Sequence, residues 1–173
     1  NMASAKRPGG GYMNCSAAQE ENLFRRSNYF QSLEAEHIHY PIAEFGAIYS
    51  PQVGFFRGNE DAGYPYYEHP VAISCVAVAA YARPALQFAS NGSSKKLVEP
   101  VMAEKFANKT MQKIQSILNV ALQHGHDSLV LSALGTGAYK NPPGHMAQLF
   151  KSVLTNGTYK NCFKNVTFAI IDD

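Results

Sequence analysis

Two short apolar runs, VAISCVAVA at 71–79 and DSLVLSAL at 127–134, constrain the fold more than any other feature of the sequence. Each has strand length and little polar alternation, which predicts strands buried on both faces. Between them, Met111, Ile114, Ile117, Leu118, Ala121 and Leu122 recur at helical spacing within 108–123, and Gly125 follows as a stop. Residues 17–34 predict a helix with Leu23, Tyr29, Phe30 and Leu33 on a rough apolar face. Residues 145–154 predict another, ending at Asn156-Gly157, and 163–171 a closing strand. The stretch 46–57 predicts two short strands split by Ser50-Pro51. Residues 58–70, dense in Gly, Pro and aromatics, predict a loop, and 81–99 reads as irregular. Strands alternating with helices predict an α/β sandwich around a mixed, mostly parallel sheet.

Composition sets the bounds. A chain of 173 residues suits one domain, 1–173, and 46% hydrophobic against 16% charged residues predicts a sizeable core. A net charge of +2 is too small to point to a nucleic-acid surface. No apolar run reaches membrane-spanning length, and nothing resembles a signal peptide, so no membrane partner is expected. Cys15, Cys75 and Cys162 show no metal-ligand spacing and predict free thiols in a reducing, intracellular setting, cytoplasmic or nuclear. Five N-x-S/T triplets, at Asn14, Asn91, Asn108, Asn156 and Asn165, matter only on secretion. The opening residues Asn1-Met2-Ala3-Ser4-Ala5 read as the end of a strand, so an N-terminal part is expected to precede them.

In α/β sheets ligands bind beyond the carboxyl ends of strands, and both unusual glycine stretches fall there. GTGAYKNPPGHMAQLF runs strand, glycine loop, helix. Backbone N–H groups of such a loop can converge on an anion, with a helix N-terminus behind them. It is neither a Walker loop nor a G-x-G-x-x-G motif. A diphosphate cradle and an ordinary strand-to-helix turn explain this stretch equally well.

PGGGYMNCSAAQEE, at 8–21, is more specific. Glu20 and Glu21 in a first helical turn would suit the helix dipole without any function. Three consecutive glycines just upstream are not needed for that, and they favour a site. Adjacent glutamates project about 100° apart on a helix, so they cannot flank one glycosidic bond from opposite sides. One acting as acid and base while the other binds hydroxyls fits better.

Other candidates are weaker. His37-x-His39 and His124-x-His126 lack further ligands at a recognised metal spacing and read as surface or helix-end histidines. Cys15 lies near the glycines but has no histidine base beside it in sequence. Tyr64, Tyr66 and Tyr67 could stack on a base or pack on their own domain. Tyr81-Ala82-Arg83-Pro84 either lines a cleft or makes a turn.

NMASAKRPGGGYMNCSAAQEENLFRRS resembles the catalytic signature of macrodomain-type poly(ADP-ribose) glycohydrolases of the compact microbial type: three glycines, a short spacer, then Gln-Glu-Glu. The spacer here is seven residues, 12–18. LVLSALGTGAYKNPP resembles the phosphate-binding loop of the same family, and the likeness runs from residue 1 to about 150. It implies a macrodomain-like three-layer sandwich, truncated at its N-terminus. It implies that Glu21 is catalytic and that Glu20 contacts ribose hydroxyls at the scissile bond. Gly9, Gly10, Gly11 and Gln19 would bind ligand, the glycines against the distal ribose and diphosphate. Gly135, Thr136, Gly137 and Ala138 would wrap the diphosphate, with Tyr139 near the ribose and Asn141 in the same set. Glu21 would protonate the leaving oxygen and then activate water, with no metal or cofactor. Burial would raise the proton affinity of one of the two glutamates.

The resemblance implies that poly(ADP-ribose) or ADP-ribosylated macromolecules are the substrate, ADP-ribose the product, and the protein a monomer. A non-catalytic ADP-ribose reader and a hydrolase of single ADP-ribose units are the alternatives. Three features depart from the family pattern. Cys15 stands where glycine is common, Ser132 and Thr136 replace Gly and Cys, and the N-terminal part that helps bind adenine is missing. Cys15 is expected to narrow the loop or make it oxidation-sensitive.

Overall fold

The computed structural model describes residues 1–35, 40–88 and 99–170. The chain divides into two compact units, Asn1–Ala79 and Ala80–Asp173.

In the first unit, Met2 makes a parallel bridge to Val78, and Ala3 N–H donates to the Val78 carbonyl at 3.0 Å. The chain then passes through the glycine stretch and a 3-10 turn, Tyr12–Asn14, into helix α1, Gln19–Arg26. The helix expected over 17–34 is two helices, because α1 stops at Ser27 and α2, Tyr29–Leu33, starts anew. The reason is local chemistry. Ser27 adopts extended backbone and bridges Phe55, its hydroxyl donates to the Leu23 carbonyl at 2.6 Å, and it accepts the Tyr29 N–H at 3.1 Å. One side chain thus serves the end of one helix and the start of the next.

Strand β1, Ile48–Arg57, is continuous where two pieces were expected; Pro51-Gln52 forms an irregularity inside it, with Gln52 at φ 50°. It pairs antiparallel with β2, Tyr66–Ala77, so 66–70 belong to a strand and not to the expected loop. Phe24, Tyr29, Leu33, Val53 and Phe55 form the core of this unit.

In the second unit, β3 (Leu86–Gln87), inside the stretch 81–99 read as irregular, pairs antiparallel with β4 (Val101–Met102), just beyond it. Helix α3, Glu104–Gln123, buries Ala107, Ile114, Leu118 and Ala121. Strand β5, Ser128–Leu131, pairs parallel with β6, Asn165–Phe168, and helix α4, Pro143–Thr155, lies between them in sequence. Both strands are shorter than expected.

The class is α/β, with strand pairing of mixed sense. The longest ladder, β1–β2, is antiparallel, and β5–β6 supplies the parallel part. Burial of the two apolar runs differs from expectation. Val71 and Ile73 are half exposed, and Val130 is 77% exposed. A run that is apolar at every position carries no period, so it cannot tell which of its faces is packed.

Candidate active site

The glycine stretch and α1 meet inside the first unit. Glu20 and Glu21 sit in the first turn of α1 and are both buried. Glu20 is held by the N-terminal segment: Ser4 N–H donates to its Oε2 at 2.6 Å, and the Asn1 side-chain amide to its Oε1 at 3.2 Å. Burial pushes the Glu20 carboxyl above its ordinary range, and the charge of Glu21 adds to this; the Ser4, Asn1 and Gly9 donors oppose it.

Glu21 is held by the glycines. Gly11 N–H donates to Oε1 at 2.9 Å, while Oε2 is buried and has no hydrogen-bond partner among the described residues. Gly10, at φ 55°, turns its Cα toward both carboxylates. A Cβ there would lie 2.5 Å from Glu21 Oε1 and 3.2 Å from Glu20 Oε2. This close approach, together with a left-handed backbone, requires glycine. Gly9 answers a second demand, since the Phe24 ring fills the place of its Cβ. The glycine loop therefore lies against the helix that carries the carboxylates.

Arg25 completes the arrangement and was not singled out in the sequence. It follows Glu21 by four residues, hence on the same helix face. Its Nη2 donates to the carbonyls of Tyr12, at 3.2 Å, and Ser16. The loop is thus tied to α1 by Glu21 at Gly11 and by Arg25 beyond it. The four-residue spacing was the available signal. Gln19 is tied to the N-terminal segment, its Oε1 accepting the Met2 N–H at 2.9 Å. Cys15 is exposed at φ 60°, so its side chain points out rather than narrowing the loop. A glycine would hold that conformation at lower cost.

The second glycine stretch lies in the second unit, between β5 and α4. Gly135, at φ 72°, packs against Ala80 and Asn141; a Cβ would come 2.6 Å from each. Asn141 is 2% exposed, and its amide donates to the carbonyls of Tyr81, at 2.8 Å, and Gly135, at 2.9 Å. Arg83 N–H donates to the Tyr139 carbonyl at 2.7 Å. The stretch 81–84 therefore braces this loop instead of only turning. Tyr81 is itself seated on the buried Lys113, whose Nζ lies 4.7 Å from the ring centroid. Thr136 bonds its own loop, Oγ1 donating to the Ala133 carbonyl at 3.0 Å, and Gly137 and Ala138 are exposed. Asn141 shapes the loop from beneath while Gly137 and Ala138 form its outer surface.

The remaining candidates resolve simply. His124 ends α3. His37 and His39 lie outside the described residues. Among the described residues no group of three potential metal ligands occurs, and no helix is long and apolar enough to cross a membrane.

Comparison with known proteins agrees with this geometry. The family described as microbial-type PARG, catalytic domain, matches residues 1–58, which hold the whole glycine–glutamate arrangement. The poly(ADP-ribose) glycohydrolase of Thermomonospora curvata bound to the inhibitor ADP-HPD is 30% identical, with a TM-score of 0.77 over 98% of this chain and 62% of that one. A second structure of the Thermomonospora curvata poly(ADP-ribose) glycohydrolase is 31% identical, with a TM-score of 0.76 over 98% of this chain and 60% of that one. The Deinococcus radiodurans enzyme in complex with ADP-ribose is 30% identical, with a TM-score of 0.71 over 100% of this chain and 67% of that one. The chain therefore spans about three fifths of the Thermomonospora proteins and shares their α/β, macrodomain-like fold. No curated protein matches it. By signature, sequence identity and fold, the chain belongs to the microbial-type poly(ADP-ribose) glycohydrolase family.

Proposed function

We propose that this chain hydrolyses the ribose–ribose O-glycosidic bonds of poly(ADP-ribose), releasing ADP-ribose, and that Glu21 is its general acid and base. One observation carries the assignment. Glu21 keeps one carboxylate oxygen fixed by the Gly11 N–H, while the other is buried and without a partner. A carboxyl held at one oxygen and unpartnered at the other has a site left for proton transfer.

In this reading, protonated Glu21 donates to the oxygen of the leaving ribose as the C1″–O bond breaks. The electron pair of that bond leaves with the oxygen, and the developing oxocarbenium-like centre lies near a substrate diphosphate. A water then adds at C1″ and gives its proton to Glu21, restoring the acid. Glu20, fixed by Ser4 and Asn1, serves as the hydroxyl-binding partner. Ligand-binding roles fall to Gly9, Gly10, Gly11 and Gln19 in the first stretch, and separately to Gly135, Thr136, Gly137, Ala138 and Tyr139 in the second, with Asn141 supporting the second loop. We read residues 1–173 as one functional domain, a monomer in an intracellular setting; the three free cysteines support the last point.

The test is hydrolysis of purified poly(ADP-ribose) by the parent and by Glu21→Gln, scoring free ADP-ribose. Loss of a positioned acid/base is expected to slow release about 10²–10⁴-fold while ADP-ribose binding persists. Equal rates would remove Glu21 from its role. Binding by both forms without cleavage by either would make the chain a reader.

A further inference from the structure

The far end of α1 carries aromatic and cationic groups that the chemistry above does not use. The Phe56 and Tyr66 rings are nearly parallel, 15° apart in plane with centroids 6.3 Å apart. The Arg57 guanidinium lies over both, 5.7 Å from the Phe56 centroid and 4.8 Å from that of Tyr66, and it donates to the Tyr66 hydroxyl. Tyr66 is nevertheless 71% exposed and Tyr67 41%. The cluster is fastened to α1, since Arg57 Nη1 donates to the Arg25 carbonyl at 3.4 Å and Arg26 Nη2 to the Tyr67 hydroxyl at 3.4 Å. Among the described residues neither Arg26 nor Arg57 has a carboxylate partner. Glu60, on the hairpin turn, accepts the Asn22 amide instead, at 3.3 Å.

An exposed, cation-backed aromatic face suits a planar base, and unneutralised guanidinium groups beside it suit phosphate. Position narrows the occupant. Arg26 lies five residues beyond Glu21, about 7.5 Å along the helix axis, which is comparable to the length of an adenosine. In a chain of ADP-ribose units the oxygen that leaves C1″ belongs to the ribose of the adjoining adenosine. Its adenine is therefore attached directly to the leaving sugar.

We propose that Tyr66, backed by Arg57 and Phe56, is a stacking platform for the adenine on the leaving side of the cleaved bond, with Arg26 and Arg57 facing that unit's diphosphate. The inference rests on the reading of the substrate as an ADP-ribose chain. Single-stranded RNA, which also combines bases and phosphates, is less favoured because nothing ties it to the neighbourhood of Glu21.

The experiment compares binding of a two-unit ADP-ribose oligomer, ADP-ribose and oligoadenylate RNA, all in a Glu21→Gln background. Tyr66→Ala is expected to weaken the oligomer about tenfold or more and leave ADP-ribose unchanged. Tyr66→Phe keeps the ring and restores oligomer binding, while Arg57→Gln weakens the oligomer and flattens its salt dependence. No effect on the oligomer, or an equal loss for ADP-ribose, overturns the platform. So does RNA bound as tightly as the oligomer with the same dependence on Tyr66. Hydrolysis by the otherwise unchanged chain, with and without Tyr66→Ala, separates the two readings. Oligomer binding through Tyr66 without any cleavage ends the glycohydrolase reading and keeps the platform. Cleavage with an unchanged KM in Tyr66→Ala does the reverse.

Discussion

Gly10 and Glu21 compete for the same space: a Cβ on Gly10 would sit 2.5 Å from Glu21 Oε1. The carboxylate is where it is because Gly10 has no side chain. The neighbouring Gly11 can then bring its N–H to 2.9 Å from the same oxygen. Gly10→Ala is expected to displace Glu21 and to strain a φ of 55° by about 1–2 kcal/mol. Hydrolysis of poly(ADP-ribose) should fall at least about tenfold, more than the modest loss in melting temperature would explain. Normal kcat in a folded variant would show that the loop does not position Glu21.

Glu20 makes stability depend on pH. Its folded-state proton affinity is raised above that of an ordinary glutamate, chiefly by burial. The folded chain therefore binds more protons than the unfolded one. This contribution is present below the unfolded value and is lost as pH rises through the folded value. Glu20→Gln removes the ionisable group while keeping one acceptor oxygen. The decline in melting temperature from pH 4.5 upward should be smaller in the variant than in the parent. An unchanged slope would mean that another group carries it.

Arg25 ties the loop to the helix through the carbonyls of Tyr12 and Ser16. Arg25→Met should lower kcat about tenfold, since a small misplacement of reacting groups suffices for that. Arg25→Lys keeps one donor direction at a time and should recover part of the loss. The readout is kcat against melting temperature. A fall in both to the same degree would reduce Arg25 to a structural role.

Asn141 supplies two short bonds from a buried amide to the carbonyls of Tyr81 and Gly135. Asn141→Ala leaves those carbonyls without their donor and should cost about 1–3 kcal/mol. Asn141→Asp should be worse at neutral pH, because an acceptor-only group would face carbonyl oxygens in a buried site. Urea unfolding of both variants decides it. Ranking Asp above Ala in stability would contradict the assigned amide orientation.

Several elements were legible because their signals are local. The period of 108–123 and the stop at Gly125 led to α3, Glu104–Gln123. The order strand, glycine loop, helix around 135–144 was recovered as β5, the loop and α4. The glycine–glutamate motif marked where to look, and the family match to residues 1–58 covers it. Other elements depended on partners far away in sequence. The break at Ser27 exists because Ser27 bridges Phe55. The strand at 66–70 exists because Arg57 pairs with Tyr66 across the hairpin, overriding loop-like composition.

The sequence by itself determined the class of the fold, the family and the two stretches where chemistry is concentrated. Periodicity, glycine runs and a short motif are properties of neighbouring residues and need no folded context. Only the tertiary structure decided what each of those residues does. It placed Glu20 under Ser4, left one oxygen of Glu21 without a partner, aimed Arg25 at the loop and set Asn141 beneath the second glycine stretch. Adjacent glutamates have the same local chemistry. What separates their roles is which donors the fold brings to each carboxylate, and those donors lie 10 and 16 residues away.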